Sequence, residues 1–307
     1  MTAPESDNDG TVVRRAGIEA VKTASTEYSW SDHRPKENVP KPRVEAIRSM
    51  YLTAVTPLLL TYNEEANIER TLRRLTWAER VVVVDSYSDD ATVEKAESFD
   101  NVDLVQREFD DHTTQWNYGL DQVDTEWVLS LDADYQVPPA FVDEMRALEP
   151  PADLAGYRAV FTYCVHGTPL RGTLYPPRIV LFRKNRAHYV QDGHTQRLSV
   201  DGTVRELEAV LKHDDRKPLS TWLDSQHRYA RLEAEKLAEA DEVGLTDRLR
   251  KTNVLAPLLT PLYCLFVQRL ILDGWAGWHY TLQRTYAEVL LTLMRVDAQL
   301  REESSAE

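Results

Sequence analysis

Cysteine is nearly absent from this chain of 307 residues: Cys164 and Cys264 stand far apart, each among apolar or aromatic neighbours. Two thiols so placed make neither a disulfide framework nor a zinc pattern, and a reducing compartment is the expectation. Glycine is scarce too, at 11 residues, and neither G-x-G-x-x-G nor G-x-x-x-x-G-K-[ST] occurs. No glycine loop is therefore available to cradle a pyrophosphate with backbone N–H groups. Positive charge is outweighed: Lys and Arg total 36 against 50 Asp and Glu, a formal charge of −14. That balance argues against nucleic acid as a partner, because a nucleic-acid face is basic. The N-terminal MTAPESDNDG lacks the basic-then-apolar layout of a signal peptide, so a cytoplasmic protein is expected. The longest uncharged stretch, Thr252 to Gln268, contains Pro257 and Pro261 and is closed by Arg269. It is at the short end for a membrane span.

What is present suits a sizeable core, with 42% apolar residues. Residues 1–50 are rich in charge, Ser, Thr and Pro and read as a flexible N-terminal arm, with a short helix near Val44 to Met50. From Pro57 a new rhythm begins. Short apolar runs, PLLLTY, RVVVVDS, VDLVQRE and WVLSL, alternate with helical patterns, EEANIERTLRRL, ATVEKAESF and TTQWNYGLDQV. The alternation predicts an α/β fold: a Rossmann-like, mostly parallel sheet flanked by helices, with a helical extension after it.

In such sheets, ligands sit at the carboxyl ends of the strands. Here those ends carry Thr61-Tyr62-Asn63-Glu64-Glu65, Asp85-Ser86, Gln106-Arg107 and Asp132-Ala133-Asp134. Asp132 and Asp134 are like charges at the end of a dry strand, which is costly unless something positive lies between them. An arginine or a metal ion satisfies that need. With no glycine loop, a divalent cation held by Asp132 and Asp134 against a nucleotide diphosphate is the favoured reading, and oxygen ligands suit Mg²⁺ or Mn²⁺.

Four segments, LLTYNEEANIERTLRRL, WAERVVVVDSYSDDAT, VQREFDDHTTQWNYGL and EWVLSLDADY, resemble in order and spacing the GT-A glycosyltransferases of family 2. Two later segments, LYPPRIVLFRKNRAHYVQDGHTQRL and LILDGWAGWHYTLQRTYAEVLLTLMR, resemble the branch containing lipopolysaccharide-core glucosyltransferases. The likeness extends over about residues 55 to 295. It implies inverting transfer from a nucleotide diphosphate sugar, most simply a UDP-sugar, to a glycolipid or lipid-linked acceptor in cell-envelope polysaccharide synthesis. By the same resemblance Thr61, Tyr62, Asn63, Glu65 and Asp85 belong to the nucleotide site, and Asp132 and Asp134 to the metal and ribose. The chain departs from the branch at Tyr87, where Gly is usual, at Trp116, where a basic residue is usual, at Tyr135, where Glu is usual, and at Thr195, where Glu follows the histidine.

After Pro150 the rhythm fades. AGYRAVFTYCVHG reads as a strand pair. Arg107 is a candidate nucleotide-sugar contact, Arg178 and Arg183 are candidate phosphate contacts, Asp192 the candidate base for the acceptor hydroxyl, and His194 a third metal ligand. His213, with Asp214 and Asp215, reads as loop. STWLDSQHRYARLEAEKLAEA predicts a long helix, and Trp275, Trp278, Leu282, Tyr286, Val289 and Leu293 share one face of another. Residues 254–295 are either a helix pair packed on the catalytic domain or a hairpin lying on a membrane at the inner face of the plasma membrane. The domains expected are thus 1–50, a nucleotide-sugar and acceptor domain at 51–215, and a helical region at 216–307. A sugar-nucleotide pyrophosphorylase is disfavoured, because the loop after the first strand, TYNEEAN, is acidic and glycine-free. A degenerate, non-catalytic relative acting as a scaffold or lipid-binding partner is the alternative.

Overall fold

The computed structural model describes residues 52–192, 195–239, 250, 252 and 254–306. The expected N-terminal arm and its short helix lie outside the described residues. The first half runs β1 (Val55–Thr61), α1 (Ile68–Leu72), β2 (Val81–Asp85), α2 (Thr92–Glu97), β3 (Val102–Gln106), α3 (His112–Asp121), β4 (Trp127–Asp132), β5 (Tyr135–Gln136) and α4 (Pro139–Ala147). The second adds β6 (Leu154–Ala159), β7 (Phe161–Val165), β8 (Thr168–Pro169), β9 (Arg178–Arg183), β10 (Ala187–Asp192), β11 (Thr195–Val200), β12 (Thr203–Glu206) and β13 (Leu211–His213). Then come α5 (Leu219–Glu239), α6 (Leu255–Leu262), a π turn (Tyr263–Val267), a 3₁₀ turn (Leu270–Asp273) and α7 (Gly274–Ala306).

Seven strands form the main sheet in the order β12-β6-β9-β4-β1-β2-β3. β1, β2, β3 and β4 are parallel, as the alternation predicts, and β9 runs antiparallel between β4 and β6. All four valines of β2 are fully buried, because helices cover both faces of the sheet. Successive residues serve opposite layers. Leu59, Val81, Val83, Leu129 and Leu131 pack with Ile68, Leu72, Phe141 and Met145. Leu58, Val82, Val84 and Val128 pack with Trp116, Leu120 and Phe182.

Two expectations need correction, and the stripe left open between core and surface is exposed. EEANIERTLRRL yields only the five-residue α1; backbone bonds from Arg74 to Thr71 and from Leu75 to Leu72 tighten and end the helix. AGYRAVFTYCVHG does form two strands, but they do not pair with each other. β6 joins the main sheet, whereas β7 lies in a second sheet ordered β5-β13-β7-β8. The apolar stripe of α7 is not core: Trp275 is 86% exposed, and Trp278, Leu282, Tyr286, Val289 and Leu293 are exposed as well. α7 instead buries Tyr280 against the second sheet and Leu291 against α5.

Candidate active site

Strand register builds the site. Thr61 lies beside Asp85, Asp85 beside Gln106, and Leu60 beside Asp132. The polar ends of β1 to β4 thus share one rim, and strand order reverses between β1 and β4, the kind of position at which parallel sheets bind ligands.

Asp85 is fully buried and accepts four hydrogen bonds, from Thr61 Oγ1 (2.9 Å), Ser88 N (2.9 Å), Ser88 Oγ (2.5 Å) and Gln106 Nε2 (3.0 Å). Those bonds satisfy the carboxylate and lock together the ends of three strands. Asn63, at φ 52°, braces the first two loops: its N–H donates to Ser88 Oγ (2.9 Å) and its Nδ2 to Asp89 Oδ1 (2.7 Å). The Glu65 backbone N–H donates to Asp90 Oδ2 (3.1 Å). Tyr62 is exposed on this rim. The guanidinium of Arg107 is committed to Gln115 Oε1 (2.5 Å) and Asp110 Oδ2 (2.5 Å).

The departures from the family pattern have local explanations. Tyr87 takes the left-handed backbone, φ 57°, that a glycine adopts freely. Trp116 is buried and stacks on Tyr189 at 5.1 Å, so it serves the core. Tyr135 is buried and hydrogen-bonded to Tyr175.

Asp134 meets a residue that sequence reading set aside. β13 pairs with β5 and β7, and its last residue, His213, is carried to within 3.5 Å of Asp134 Oδ2 through Nε2. His213 stacks on Tyr163 at 4.6 Å and packs near Tyr135 and Tyr175. Burial pushes its imidazole down to about 4, which leaves it neutral and able to ligate. Burial, then Asp132 and Asp215, push Asp134 up to about 8. Asp134 Oδ1 and His213 Nδ1 are buried without a hydrogen-bond partner.

A buried carboxylate oxygen without a partner beside a neutral imidazole is a pair that a divalent cation fits. Among the described residues no three His, Cys, Asp or Glu side chains already surround one point. Asp134 and His213 would be two protein ligands, with diphosphate and water completing the shell, as hard cations accept. Asp214, by contrast, is taken up by Arg70 (2.8 Å) and Arg216 (2.8 Å). Burial raises its carboxyl, and these hydrogen bonds more than offset that, so it stays below the usual carboxylate range.

The other second-half candidates divide. Arg178 opens β9 on the site's side, whereas Arg183 faces Trp127, the first residue of β4, at the opposite edge. Arg183 there pairs with Glu126 and lies 4.6 Å over the Trp127 ring, so it is no phosphate contact. Asp192 ends β10, opposite Thr195. His194 lies outside the described residues.

From Asp134 and His213 a cavity of about 530 Å³ extends to α5 and α7, past Tyr175, Arg178, Trp222, Tyr229 and Arg284. Sequence reading placed the acceptor side within residues 150–215. The cavity takes half its wall from the C-terminal helices, which no local motif signalled.

Residues 58–191 match the family model for glycosyl transferase family 2. That segment is similar to a glycosyl transferase family 2 domain. It spans a little under half of the chain and ends before His213 and the C-terminal helices. The chain is also similar to two solved proteins. One is TarS 1-349 of S. aureus, in complex with UDP-GlcNAc: 16% identity, TM-score 0.38, covering 81% of this chain and 92% of that one. The other is glucosyl-3-phosphoglycerate synthase from Mycobacterium tuberculosis, in complex with Mn²⁺, UDP and phosphoglyceric acid: 16% identity, TM-score 0.43, covering 66% and 83%.

Proposed function

We propose that this family 2 domain and its C-terminal helices form an inverting glycosyltransferase that moves a sugar from a UDP-sugar to a glycolipid or lipid-linked acceptor. The proposal includes a place in cell-envelope polysaccharide synthesis, in the lipopolysaccharide-core glucosyltransferase branch. The observation that carries it is the meeting of Asp134 and His213 beside Asp132, on the rim built by the strand ends. Asp134 and His213 would hold Mn²⁺ or Mg²⁺. Such an ion neutralises the charge that develops on a departing diphosphate. Thr61, Asn63, Glu65 and Asp85 shape the floor for the nucleotide, and Tyr62 offers an exposed ring.

The chain's own part in the reaction is to orient and to move one proton. The acceptor hydroxyl attacks the anomeric carbon from the face opposite the diphosphate. As the new glycosidic bond forms, the bond to the diphosphate oxygen breaks and the hydroxyl proton passes to a base. Asp192, at the end of β10, is the base we propose. Its strand is strapped to α3 by Asn117 Nδ2 to Tyr189 O (3.0 Å) and Thr113 Oγ1 to Gln191 Oε1 (2.8 Å).

The α6–α7 hairpin supports a lipid-linked acceptor. Among the described residues no single helix is long and apolar enough to cross a membrane, and the two halves are bent by 69°. Leu258, Leu262, Phe266, Val267, Leu272 and Trp275 are nonetheless all more than half exposed. Leucine and phenylalanine with tryptophan beside them suit burial at a lipid headgroup boundary. We place the protein at the inner face of the plasma membrane.

The test is transfer from radiolabelled UDP-sugars, with Mn²⁺, to an extract of envelope glycolipids. Wild type transfers; His213→Gln and Asp134→Asn lose at least about 100-fold in kcat/KM, in the range seen for removal of an electrostatic stabiliser. Transfer unchanged in both variants contradicts the site. No transfer by wild type favours the non-catalytic scaffold.

A further inference from the structure

Four cations line the cavity: Arg178, Lys217, Arg250 and Arg284. Two have carboxylate partners. Lys217 meets Glu64 at 2.5 Å, and Arg250 meets Glu288 at 2.7 Å and Glu233 at 3.4 Å. Arg178 and Arg284 have none among the described residues, and the Nε of each is buried with no acceptor. What they touch is aromatic. Arg178 lies 5.1 Å over the Tyr175 ring; Arg284 lies 5.1 Å over Tyr280 and 6.0 Å over Tyr163. An aromatic face attracts the charge but accepts no N–H bond along the guanidinium plane. A half-buried guanidinium left in this way is costly in the free protein, and it suits a wall whose missing acceptor arrives with the ligand.

The two arginines come from different walls of the cavity. Arg178 begins β9, on the sheet side that holds Asp132. Arg284 comes from α7, outside the family 2 segment, and shares the cavity wall with Trp222 and Tyr229 of α5. In the proposed transfer the strand-end rim would take the donor's diphosphate. The aromatic wall built by the helices is where an acceptor sugar has ring faces to rest on.

We propose that Arg284 binds an anionic group of the acceptor, a phosphate or carboxylate on or next to the sugar that receives the new bond. α7 then reads the acceptor's charge, while the strand ends read the donor. The inference rests on the proposed transferase reading, because it assigns the cavity to that reaction's acceptor.

The test uses inorganic phosphate as the probe, titrated calorimetrically at constant ionic strength into the full chain already loaded with UDP and Mn²⁺. Wild type, Arg284→Ala and Arg284→Lys are compared, and UDP affinity with Mn²⁺ is measured for each. Arg284→Ala weakens phosphate at least about tenfold, the usual effect of losing a charge-assisted hydrogen bond. Arg284→Lys retains most of the affinity, and UDP affinity stays within about twofold throughout. A purely structural role would lower the melting temperature and leave phosphate untouched, so melting is recorded for each variant. If Arg284→Ala unfolds, the comparison with Arg284→Gln, which keeps the length, replaces it. Phosphate affinity unchanged in a folded variant overturns the proposal. So does a loss of UDP affinity as large as the loss for phosphate, which would assign Arg284 to the donor's diphosphate. If wild type binds UDP tightly but no phosphate, the Arg284 assignment alone fails. If wild type binds no UDP with Mn²⁺, the transferase reading fails, and this inference with it.

Discussion

Asp134 is pressed by burial and by two acids, Asp132 and Asp215, with Lys217 the nearest relief. Its folded-state value, about 8, is above that of an exposed aspartate. Between those values the folded protein binds more protons than the unfolded chain, so stability falls as pH rises. His213 acts oppositely, but only between about 4 and its ordinary value of 6.5. Glu64, raised to about 7 by burial, acts in the same sense as Asp134. In the metal-free protein, stability therefore falls between pH 6.5 and 8 by about 1–2 kcal/mol, at roughly 1.4 kcal/mol per unit and proton. Melting in EDTA across that range checks it: Asp134→Asn flattens the slope, and a flat wild-type profile contradicts the account. Mn²⁺ affinity rises over the same range, because binding displaces the proton. The acid pair was legible in the sequence, since two charges after a dry run demand a partner. His213 was not. It ends a three-residue strand, too short for any periodicity, and lies about 80 residues from Asp134.

At the scale of elements, the four parallel strands could be read because β-branched runs buried on both faces admit few other structures. Their register follows from the pairing, and it gathers the polar ends. The helices after residue 216 were legible as helices only. A period near 3.6 says that one face is apolar, not what covers it, and the stripe from Trp275 to Leu293 is exposed rather than core. The bend before α7 depends on close approach: a Cβ at Gly277 would lie 1.9 Å from Leu270 O. Arg269 and Gly274, both with φ near 60°, turn the chain there. Gly277→Ala cannot be absorbed by a side-chain movement, because the obstacle is backbone. Overpacking of this kind costs about 1–3 kcal/mol, so the melting temperature falls by roughly 3–10 °C. An unchanged melting temperature contradicts this geometry of the hairpin.

For the whole molecule, the acidic total and the apolar hairpin act in different places. A formal charge of −14 repels an anionic bilayer, so the proposed lipid contact would have to come from apolar insertion. Replacing Leu258, Leu262, Phe266 and Trp275 together with serine reduces co-sedimentation with phospholipid vesicles at least about fivefold, since each buried apolar side chain adds about 1.5–3 kcal/mol. The melting temperature in solution changes little, because these side chains are exposed there. Vesicle binding that survives the four changes contradicts the membrane-facing hairpin. The proposed transferase stands or falls on whether Asp134 and His213 bring a divalent cation and a nucleoside diphosphate together at the strand ends. Thermal unfolding with UDP plus Mn²⁺, against UDP in EDTA, tests it most directly. UDP is expected to raise the melting temperature only with metal, by mass action on the folded state, and Asp134→Asn and His213→Gln are expected to abolish the rise. No stabilisation of wild type by UDP, GDP or ADP with Mn²⁺ would contradict it.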